Sequence, residues 1–141
     1  MLPVIELRGA IPVGVQAYGL SLPEAFVFAS AGNILIGVVL VYALPFLEKR
    51  VFRRIPFLAP LFTFFAERTR RRHSRKIELY AELGLFFLVA VPLPATGAWT
   101  GALAAYLFGL KQSKAALVIS AGVIAAGILV SLATAGVINV L

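Results

Sequence analysis

Two long apolar runs constrain the fold of this sequence more than any other feature. Residues 24 to 45 and residues 114 to 140 are each as long as the roughly 20 apolar residues that a helix needs to cross a bilayer. Within the hydrocarbon core every backbone N–H and C=O must be satisfied inside the protein, which a helix achieves. The sequence therefore predicts an all-α, multi-pass integral protein of the cell membrane.

The composition supports a lipid environment and excludes several classes of protein. Apolar residues make up 61% of the 141 residues and charged residues 13%, against roughly 45–50% and 25% in soluble domains. Most of the basic residues behind the net charge of +7 lie between Lys49 and Lys76. This placement is typical of a cytoplasmic loop and argues against nucleic acid as a partner. The absence of cysteine excludes disulfides, thiol catalysis and thiolate metal sites.

The segment between the two runs is strongly basic and has a short apolar middle. Residues 46–76 place phenylalanines such as Phe57 and Phe62 near clusters of arginine, and the apolar part is too short to span a membrane. This pattern is typical of an amphipathic connector that lies at the headgroup level with its apolar side in the lipid. A plain solvated basic linker is the alternative.

Two further apolar segments are interrupted by proline and glycine. Residues 2–20 contain Gly9 and Pro12, and residues 77–109 contain Pro92 and Pro94. Because proline lacks a backbone donor and clashes with the preceding turn, both segments are predicted to break within the membrane as re-entrant hairpins. The second segment is expected to turn at residues 94–97 and to return as residues 98–109. A Pro-kinked pair of connected spans is the alternative for it.

An internal repeat relates the two halves of the chain. Residues 19–40 and 109–130 share eight identities in 22 positions at a constant offset of 90, including a Ser-Ala-Gly triplet at residues 30–32 and 120–122. Duplication explains this match better than hydrophobicity alone. Each unit would contain one hairpin and one crossing helix, so the second copy must be inverted relative to the first, an architecture found in many transporters.

The chain is accordingly predicted to form a single membrane domain of residues 1–141. Repeat 1 covers residues 1–45, the amphipathic connector 46–76 and repeat 2 residues 77–141. A cytoplasmic connector, with cytoplasmic Lys111 and Lys114, would leave both chain ends external. A four-span model with both ends cytoplasmic is the competing topology, and it places Lys111 and Lys114 less naturally.

Two motifs in this sequence resemble those of a known family. They are ELRGAIPVG at residues 6–14 and VPLPATGAWTG at residues 91–101. Both resemble the small multidrug export protein family, which is considered a relative of the DedA, or VTT-domain, membrane proteins. The resemblance covers essentially the whole chain. It implies two facing re-entrant hairpins in an inverted repeat, and transport coupled to an ion gradient.

Glu6 and Arg8 are the first candidates for transport chemistry. Charged groups inside an apolar segment are costly unless they are paired or hydrated, and in membranes they mark ion or substrate paths. Burial is expected to raise the pKa of Glu6 and Arg8 to lower it, so that substrate binding at Arg8 would load or release a proton. In the alternative, both groups extend into water at the interface. Glu82, one turn after Glu78, is a third candidate, either as a cation entrance or as an exposed carboxylate.

The residues at the predicted hairpin breaks form the second candidate group. Unwound carbonyls and hydroxyls at a half-helix end can coordinate an ion or a phosphate. The break and coordination residues are predicted to be Gly9, Pro12, Pro92, Pro94, Thr96, Gly97, Trp99 and Thr100. Trp99 is expected either to stack on a substrate or to anchor its helix at the interface. Gln16 and Asn33 are expected to hydrogen-bond between helices.

These features predict a secondary transporter, coupled to protons or to a cation such as Na+, that moves a small amphiphilic molecule or a lipid phosphate. The sequence offers no nucleophile with its base and no metal cluster, so neither enzymatic activity nor a cofactor is expected. A homodimer is expected, because two spans and two hairpins leave thin protein around broken backbone. The alternative function is a non-transporting membrane organiser or lipid-binding scaffold, whose basic connector gathers anionic lipids or a partner.

Overall fold

The computed structural model describes residues 6–50, 60, 63–64, 67, 75–93 and 96–140, with side chains up to residue 137. Five helices with defined ends lie in this part of the chain: α1 Glu6–Tyr18, α2 Leu22–Arg50, α3 Arg75–Ala90, α4 Ala98–Leu107 and α5 Gln112–Val140. The prediction of an all-α protein is confirmed for these residues. Most of the connector, and with it the predicted amphipathic element, lies outside the described residues.

The two apolar runs form the two longest helices, α2 and α5, of 29 residues each. Their most apolar windows have mean hydropathies of 2.2 and 2.5, and at about 1.5 Å per residue both are long enough to cross a bilayer. α2 continues past Pro45, where the predicted span ended, to Arg50. Large apolar side chains such as Leu35, Leu117 and Leu132 are exposed on these helices, which suits a lipid environment better than water.

Helices α2 and α5 pack closely and run in opposite directions. Gly37 lies against Ile119, whereas Gly127, further along α5, lies against Phe26 and Ser30, which are nearer the start of α2. A methyl group added at Gly37 would lie 3.0 Å from Ile119, and one added at Gly127 would lie 2.7 Å from Phe26. Small residues therefore permit the close approach of the two helices, as is common in membrane proteins.

The two halves of the chain also agree in local structure. Helix α5 begins and ends 90 residues after α2, which is the offset of the sequence repeat. Each long helix follows a turn with a glycine in the left-handed region, Gly19 with a φ of 65° and Gly109 with a φ of 66°, where residues with a side chain are disfavoured. The short helices α1 and α4, which precede these turns, occupy corresponding positions in the two halves.

Helices α3 and α4 form a hairpin that returns to the end of the molecule from which it starts. Lys114, in the first turn of α5, donates to Glu78 and Glu82 of α3 at 3.0 Å each. Helix α5 therefore begins beside the start of α3. Further along both helices, Gly122 lies against Val89, so α3 and α5 are parallel. Helix α4 carries the chain back between the end of α3 and the start of α5.

The break predicted in the second apolar segment is present. Helix α3 ends at Ala90, two residues before Pro92, and the return helix α4 begins at Ala98, as predicted. Proline removes a backbone donor and disfavours helical geometry in the residue before it, which explains the end of α3. Residues 94 and 95 lie outside the described residues, so the role of Pro94 in the turn stays a prediction.

The first apolar segment is not broken at Pro12, and the predicted hairpin break at Gly9 and Pro12 is wrong for the described residues. Helix α1 runs without interruption over Glu6–Tyr18 and contains both. Proline at position 12 removes the hydrogen bond to the carbonyl of Arg8, but its fixed φ is compatible with a helix. A single lost bond is tolerated because α1 packs against both α2 and α5.

The break between α3 and α4 lies near the middle of the molecule. Gly37, close to the midpoint of α2, packs against Ala98 at the start of α4, and Val89 near the end of α3 is buried. Leu7 and Ile11 of α1 are buried as well. At about 1.5 Å per residue, α1 is about 20 Å long and α4 about 15 Å, both shorter than the roughly 30 Å of a hydrocarbon core.

Candidate functional site

Glu6 caps the start of α4. Its Oε2 accepts the backbone N–H of Ala98 at 3.2 Å, and its Oε1 accepts that of Trp99 at 3.4 Å. These are two of the N–H groups that a helix leaves unsatisfied in its first turn, and the helix dipole favours a negative charge at this end. Glu6 is only 8% exposed. A carboxylate from α1 is therefore enclosed against the beginning of another helix.

Arg8 binds carbonyl groups on the other side of the same break. Its Nη2 donates to the carbonyl O of Thr96 at 2.9 Å, to Thr96 Oγ1 at 2.7 Å and to the carbonyl O of Val91 at 3.3 Å. Thr96 Oγ1 itself lies 2.8 Å from the carbonyl O of Leu93 and 3.1 Å from that of Val91. One arginine and one threonine thus hold a stretch of backbone that is outside both helices.

Glu6 and Arg8 match the two kinds of group that a broken helix exposes. The N–H groups at the start of α4 require an acceptor, and the carbonyl groups after the end of α3 require a donor. The Glu-x-Arg order on α1 supplies both, two residues apart. The structure therefore brings the predicted pair of Glu6 and Arg8 together with Thr96, which was predicted in the separate group of break residues.

Gly97 lies where α1 leaves no room for a side chain beside the break. A methyl group added at this residue would overlap the carboxylate of Glu6, so any side chain at position 97 would displace the cap. Thr100 Oγ1 accepts the backbone N–H of Gly97 at 2.9 Å, which satisfies a further donor at the start of α4. Gly97 and Thr100 were predicted to coordinate an ion or substrate, and in the structure they build the helix start that Glu6 caps.

A largely apolar groove of about 330 Å³ opens beside Arg8. It is lined by Arg8, Pro12, Gln16 and Pro92 and, in the last turns of α5, by Leu129, Val130, Ala133, Thr134 and Val137. Pro12 and Pro92, predicted as break residues, both belong to this groove. Gln16 lies on its exposed side. A groove of this size, with one guanidinium at its edge, has the dimensions and polarity of a small-molecule site.

Trp99 takes part in the site through its backbone. Its N–H donates to Glu6, and the residue is 37% exposed. The two roles predicted for the side chain, substrate stacking and interfacial anchoring, both stay predictions.

Glu82 lies away from this site, at the end where α3 and α5 begin. Lys114 Nζ is 3.0 Å from an oxygen of Glu78 and 3.0 Å from one of Glu82, and the three side chains are partly exposed. The carboxylate pair predicted as a cation entrance therefore holds a cation of the chain itself. Glu82 is not brought together with Glu6 and Arg8.

Asn33 belongs to the site, although sequence reasoning did not assign it there. The residue is 2% exposed, and its Oδ1 has no hydrogen-bond partner among the described residues, so this oxygen takes no part in the interhelical hydrogen bond expected of Asn33. Asn33 lines a small cavity together with Glu6. One signal was available in the sequence: an amide in the middle of an apolar run is costly to bury unless it is hydrogen-bonded.

The fold and the site define an all-helical protein with two helices that are long and apolar enough to cross a membrane, and with a helix break held by a carboxylate and a guanidinium. A family model described as "Putative small multi-drug export protein" matches residues 6–129, and the chain belongs to that family. The resemblance inferred from the two motifs is confirmed for this family. No curated protein and no solved structure matches the chain.

Proposed function

We propose that the protein is a secondary transporter in which Glu6 and Arg8 couple a proton or another cation to the movement of a small amphiphilic molecule or a lipid phosphate. The observation that carries the proposal is the contact of both residues with the break between α3 and α4. Buried charges beside broken helices are features of ion and substrate paths in membrane proteins. The description of the family as an export protein supports the movement of a small molecule.

The charge of Glu6 determines how strongly α1 holds α4. As a carboxylate, Glu6 accepts two backbone N–H groups and interacts favourably with the helix dipole. Protonation removes the charge and weakens these charge-assisted hydrogen bonds. Proton uptake would therefore loosen the contact between the two halves of the chain, and proton release would restore it.

Arg8 provides a link between this contact and the groove. It lines the groove while its Nη2 binds Thr96 and Val91. A polar or anionic head group at the groove would compete with these carbonyl oxygens for the guanidinium. The apolar part of the same molecule would lie along the last turns of α5. Small amphiphiles and lipid phosphates share this chemistry.

An inverted repeat in the cell membrane is part of the proposal. The antiparallel packing of α2 and α5, their offset of 90 residues and the matching turns at Gly19 and Gly109 support it. Helix α1 would correspond to the return helix α4 alone and would enter the membrane without crossing it. We also propose that the family is related to the DedA membrane proteins.

Transport by the purified protein in liposomes tests the proposed function. Ethidium serves as the amphiphilic probe and a fluorescent lipid phosphate as the second probe, each with a pH gradient, with a Na+ gradient or with neither. We expect one of the probes to move only under an imposed gradient, and Glu6→Gln to abolish that dependence. Glu67→Gln, at an exposed carboxylate, is the matched control and should leave transport unchanged.

Normal gradient-driven transport by Glu6→Gln would contradict the coupling role. If the wild-type protein moves neither probe, and if charge reversal within residues 68–76 abolishes lipid clustering on vesicles, the membrane organiser is favoured instead. The two functions therefore depend on different charged residues of the same chain.

We further propose that the protein acts as a homodimer. Backbone outside a helix is tolerated at membrane depth only when protein or a wet cavity surrounds it, and Leu93 beside the break is 55% exposed. A second copy would enclose this side. A monomeric mass from light scattering in mild detergent would contradict the dimer.

A further inference from the structure

Asn33 presents a buried acceptor without a donor in the interior of the molecule. The residue is 2% exposed, and Oδ1 has no hydrogen-bond partner in the described part of the chain. Buried polar atoms in native proteins nearly always have a partner. The unsatisfied amide oxygen of Asn33 therefore calls for a donor that the described residues do not supply in this arrangement.

Asn33 and Glu6 line the same cavity. Its volume is about 10 Å³, close to the lower limit for one water molecule. The other lining residues are Leu7, Arg8, Val89, Thr96, Gly97, Ala98, Val123 and Ala126. Helices α2, α3, α4 and α5 thus contribute no charged or titratable group to this lining, and α1 contributes Glu6 and Arg8. Arg8 already donates to Thr96 and Val91.

Around this cavity the Glu6 carboxylate has hydrogen-bond donors, whereas Asn33 Oδ1 has none. The two carboxylate oxygens accept the N–H groups of Ala98 and Trp99, and Asn33 Oδ1 receives none. An ionised carboxylate can only accept hydrogen bonds, whereas a protonated one also donates. A proton on Glu6 therefore creates the donor that Asn33 lacks.

We propose that Asn33 is the acceptor for the proton carried by Glu6, whose hydroxyl donates to Asn33 Oδ1 directly or through one water. A proton from solution forms the O–H bond on one carboxyl oxygen, and the other oxygen continues to accept a backbone N–H of α4. A metal cation fits less well, because the α4 dipole and the guanidinium of Arg8 in the same lining both oppose a further positive charge. The inference rests on the proposed function, in which Glu6 is the coupling group.

The proposed acceptor exists in one half of the repeat only. Val123 stands on α5 at the position equivalent to Asn33, at the offset of 90, and lines the same cavity. The two halves therefore provide one proton site between them, and Asn33 connects its charge state to the long helix α2. The valine at position 123 of α5 also indicates that a β-branched side chain can be packed between the helices at this level of the molecule.

Infrared spectroscopy of the full-length protein in nanodiscs tests the inference. The carbonyl stretching band of protonated Glu6, assigned by its loss in Glu6→Gln, is followed as a function of pH. Asn33→Val removes the acceptor, and Asn33→Thr has nearly the same shape but restores a hydroxyl oxygen. Ser30→Ala is the matched control, because Ser30 is also buried on α2 with an unpartnered hydroxyl but does not line the cavity.

We expect Asn33→Val to lower the protonation midpoint of Glu6 by about one pH unit, which corresponds to the loss of one hydrogen bond, and to move the carbonyl band to higher frequency. Asn33→Thr should restore most of both, and Ser30→Ala should change neither. An unchanged midpoint and band in folded Asn33→Val overturns the inference, as does a midpoint that follows Na+ concentration. If Asn33→Val does not fold, Asn33→Ala removes the same acceptor without added bulk: a lower midpoint and a shifted band support the inference, and an unchanged midpoint and band overturn it.

The infrared experiment distinguishes a failure of the coupling role of Glu6 from a failure of the role assigned to Asn33. If Glu6 gives no titrating band in the wild-type protein, the proposed coupling role fails. If Glu6 titrates and its midpoint is independent of residue 33, the coupling role stands and the assignment of Asn33 fails.

Discussion

The carboxylate of Glu6 lies 3.2 Å from the backbone N of Ala98, although 92 residues separate them in the chain. Ala98 also packs against Gly37 of α2, so α1, α2 and α4 meet at this point. A change in charge at Glu6 therefore acts at a junction of three helices. Each of the two halves contributes to that junction.

The first prediction concerns the stability that Glu6 gives to the helix break. Hydrogen bonds to a charged group contribute about 1.5–3 kcal/mol, so Glu6→Ala should lower the free energy of unfolding by about 2 kcal/mol. Glu6→Gln should cost less, because its amide oxygen still accepts one N–H. Unfolding in detergent, followed by circular dichroism, measures the difference, and Glu67→Gln at an exposed site is the control. Equal stability of Glu6→Ala and the control would contradict the capping role.

The second prediction concerns the absence of a side chain at residue 97. A methyl group there overlaps the Glu6 carboxylate, and overpacking of this kind costs about 1–3 kcal/mol. Gly97→Ala should therefore destabilise the wild-type protein and have a smaller effect in a Glu6→Ala background. A double-mutant cycle measures this coupling. Additive effects of the two substitutions would show that they act on different contacts.

Gly84 offers the matched control for this substitution. It lies within α3, and a methyl group added there meets nothing within 4 Å. Gly84→Ala should stabilise the protein by about 0.5–1 kcal/mol, because glycine is a poor helix former. The same glycine-to-alanine change thus has opposite signs at the two positions.

The apolar runs, the proline at position 92 and the internal repeat made most of the helices predictable from the sequence. The apolar runs give α2 and α5, Pro92 ends α3, and the repeat offset of 90 is reproduced by the helix ends and by the turns at Gly19 and Gly109. The break predicted at Pro12 was wrong. Proline in a helix removes one hydrogen bond, and packing against neighbouring helices can compensate for that loss.

The site was predictable only in part. Glu6 and Arg8 could be predicted as site residues, because a charged group inside an apolar segment is costly unless it is paired or hydrated. Their partners could not be predicted, since they are backbone groups of Ala98, Trp99 and Val91, which carry no side-chain signal in the sequence. Contacts between residues about 90 positions apart require knowledge of how the helices pack.

The third prediction concerns the contact between α3 and α4. A methyl group at Gly101 would lie 2.5 Å from Cγ2 of Val89, whereas its next neighbour, Ile119, is 3.5 Å away. Gly101→Ala should destabilise the protein by about 1–3 kcal/mol. Val89→Ala removes the obstructing carbon, so the double variant should be more stable than the sum of the single effects predicts. Strict additivity in thermal unfolding would contradict this packing.

The fourth prediction concerns the ion pairs of Lys114. They are partly exposed, and exposed ion pairs contribute little and are screened by salt. Lys114→Met should lower the melting temperature less than Glu6→Ala does, and its effect should shrink as salt is added. A salt-independent loss as large as that of Glu6→Ala would mean that Lys114 serves more than an exposed ion pair.

The final prediction concerns topology, which single cysteines can report because the chain has none of its own. The bonds of Lys114 to α3 place the start of α5 beside the start of α3. We therefore expect Lys76→Cys and Ser113→Cys to react with an impermeant thiol reagent from the cytoplasmic side. Ser21→Cys and Val137→Cys should react from outside.

The competing four-span topology makes the opposite prediction at two of these positions. If the segment before α5 crossed the membrane, Ser113→Cys would be external and Val137→Cys cytoplasmic, while Ser21→Cys and Lys76→Cys would be labelled as before. The hairpin of α3 and α4 returns to its starting end, because Lys114 in the first turn of α5 contacts Glu78 and Glu82 near the start of α3. External labelling of Ser113→Cys would therefore contradict both this hairpin and the inverted repeat on which the proposed coupling depends.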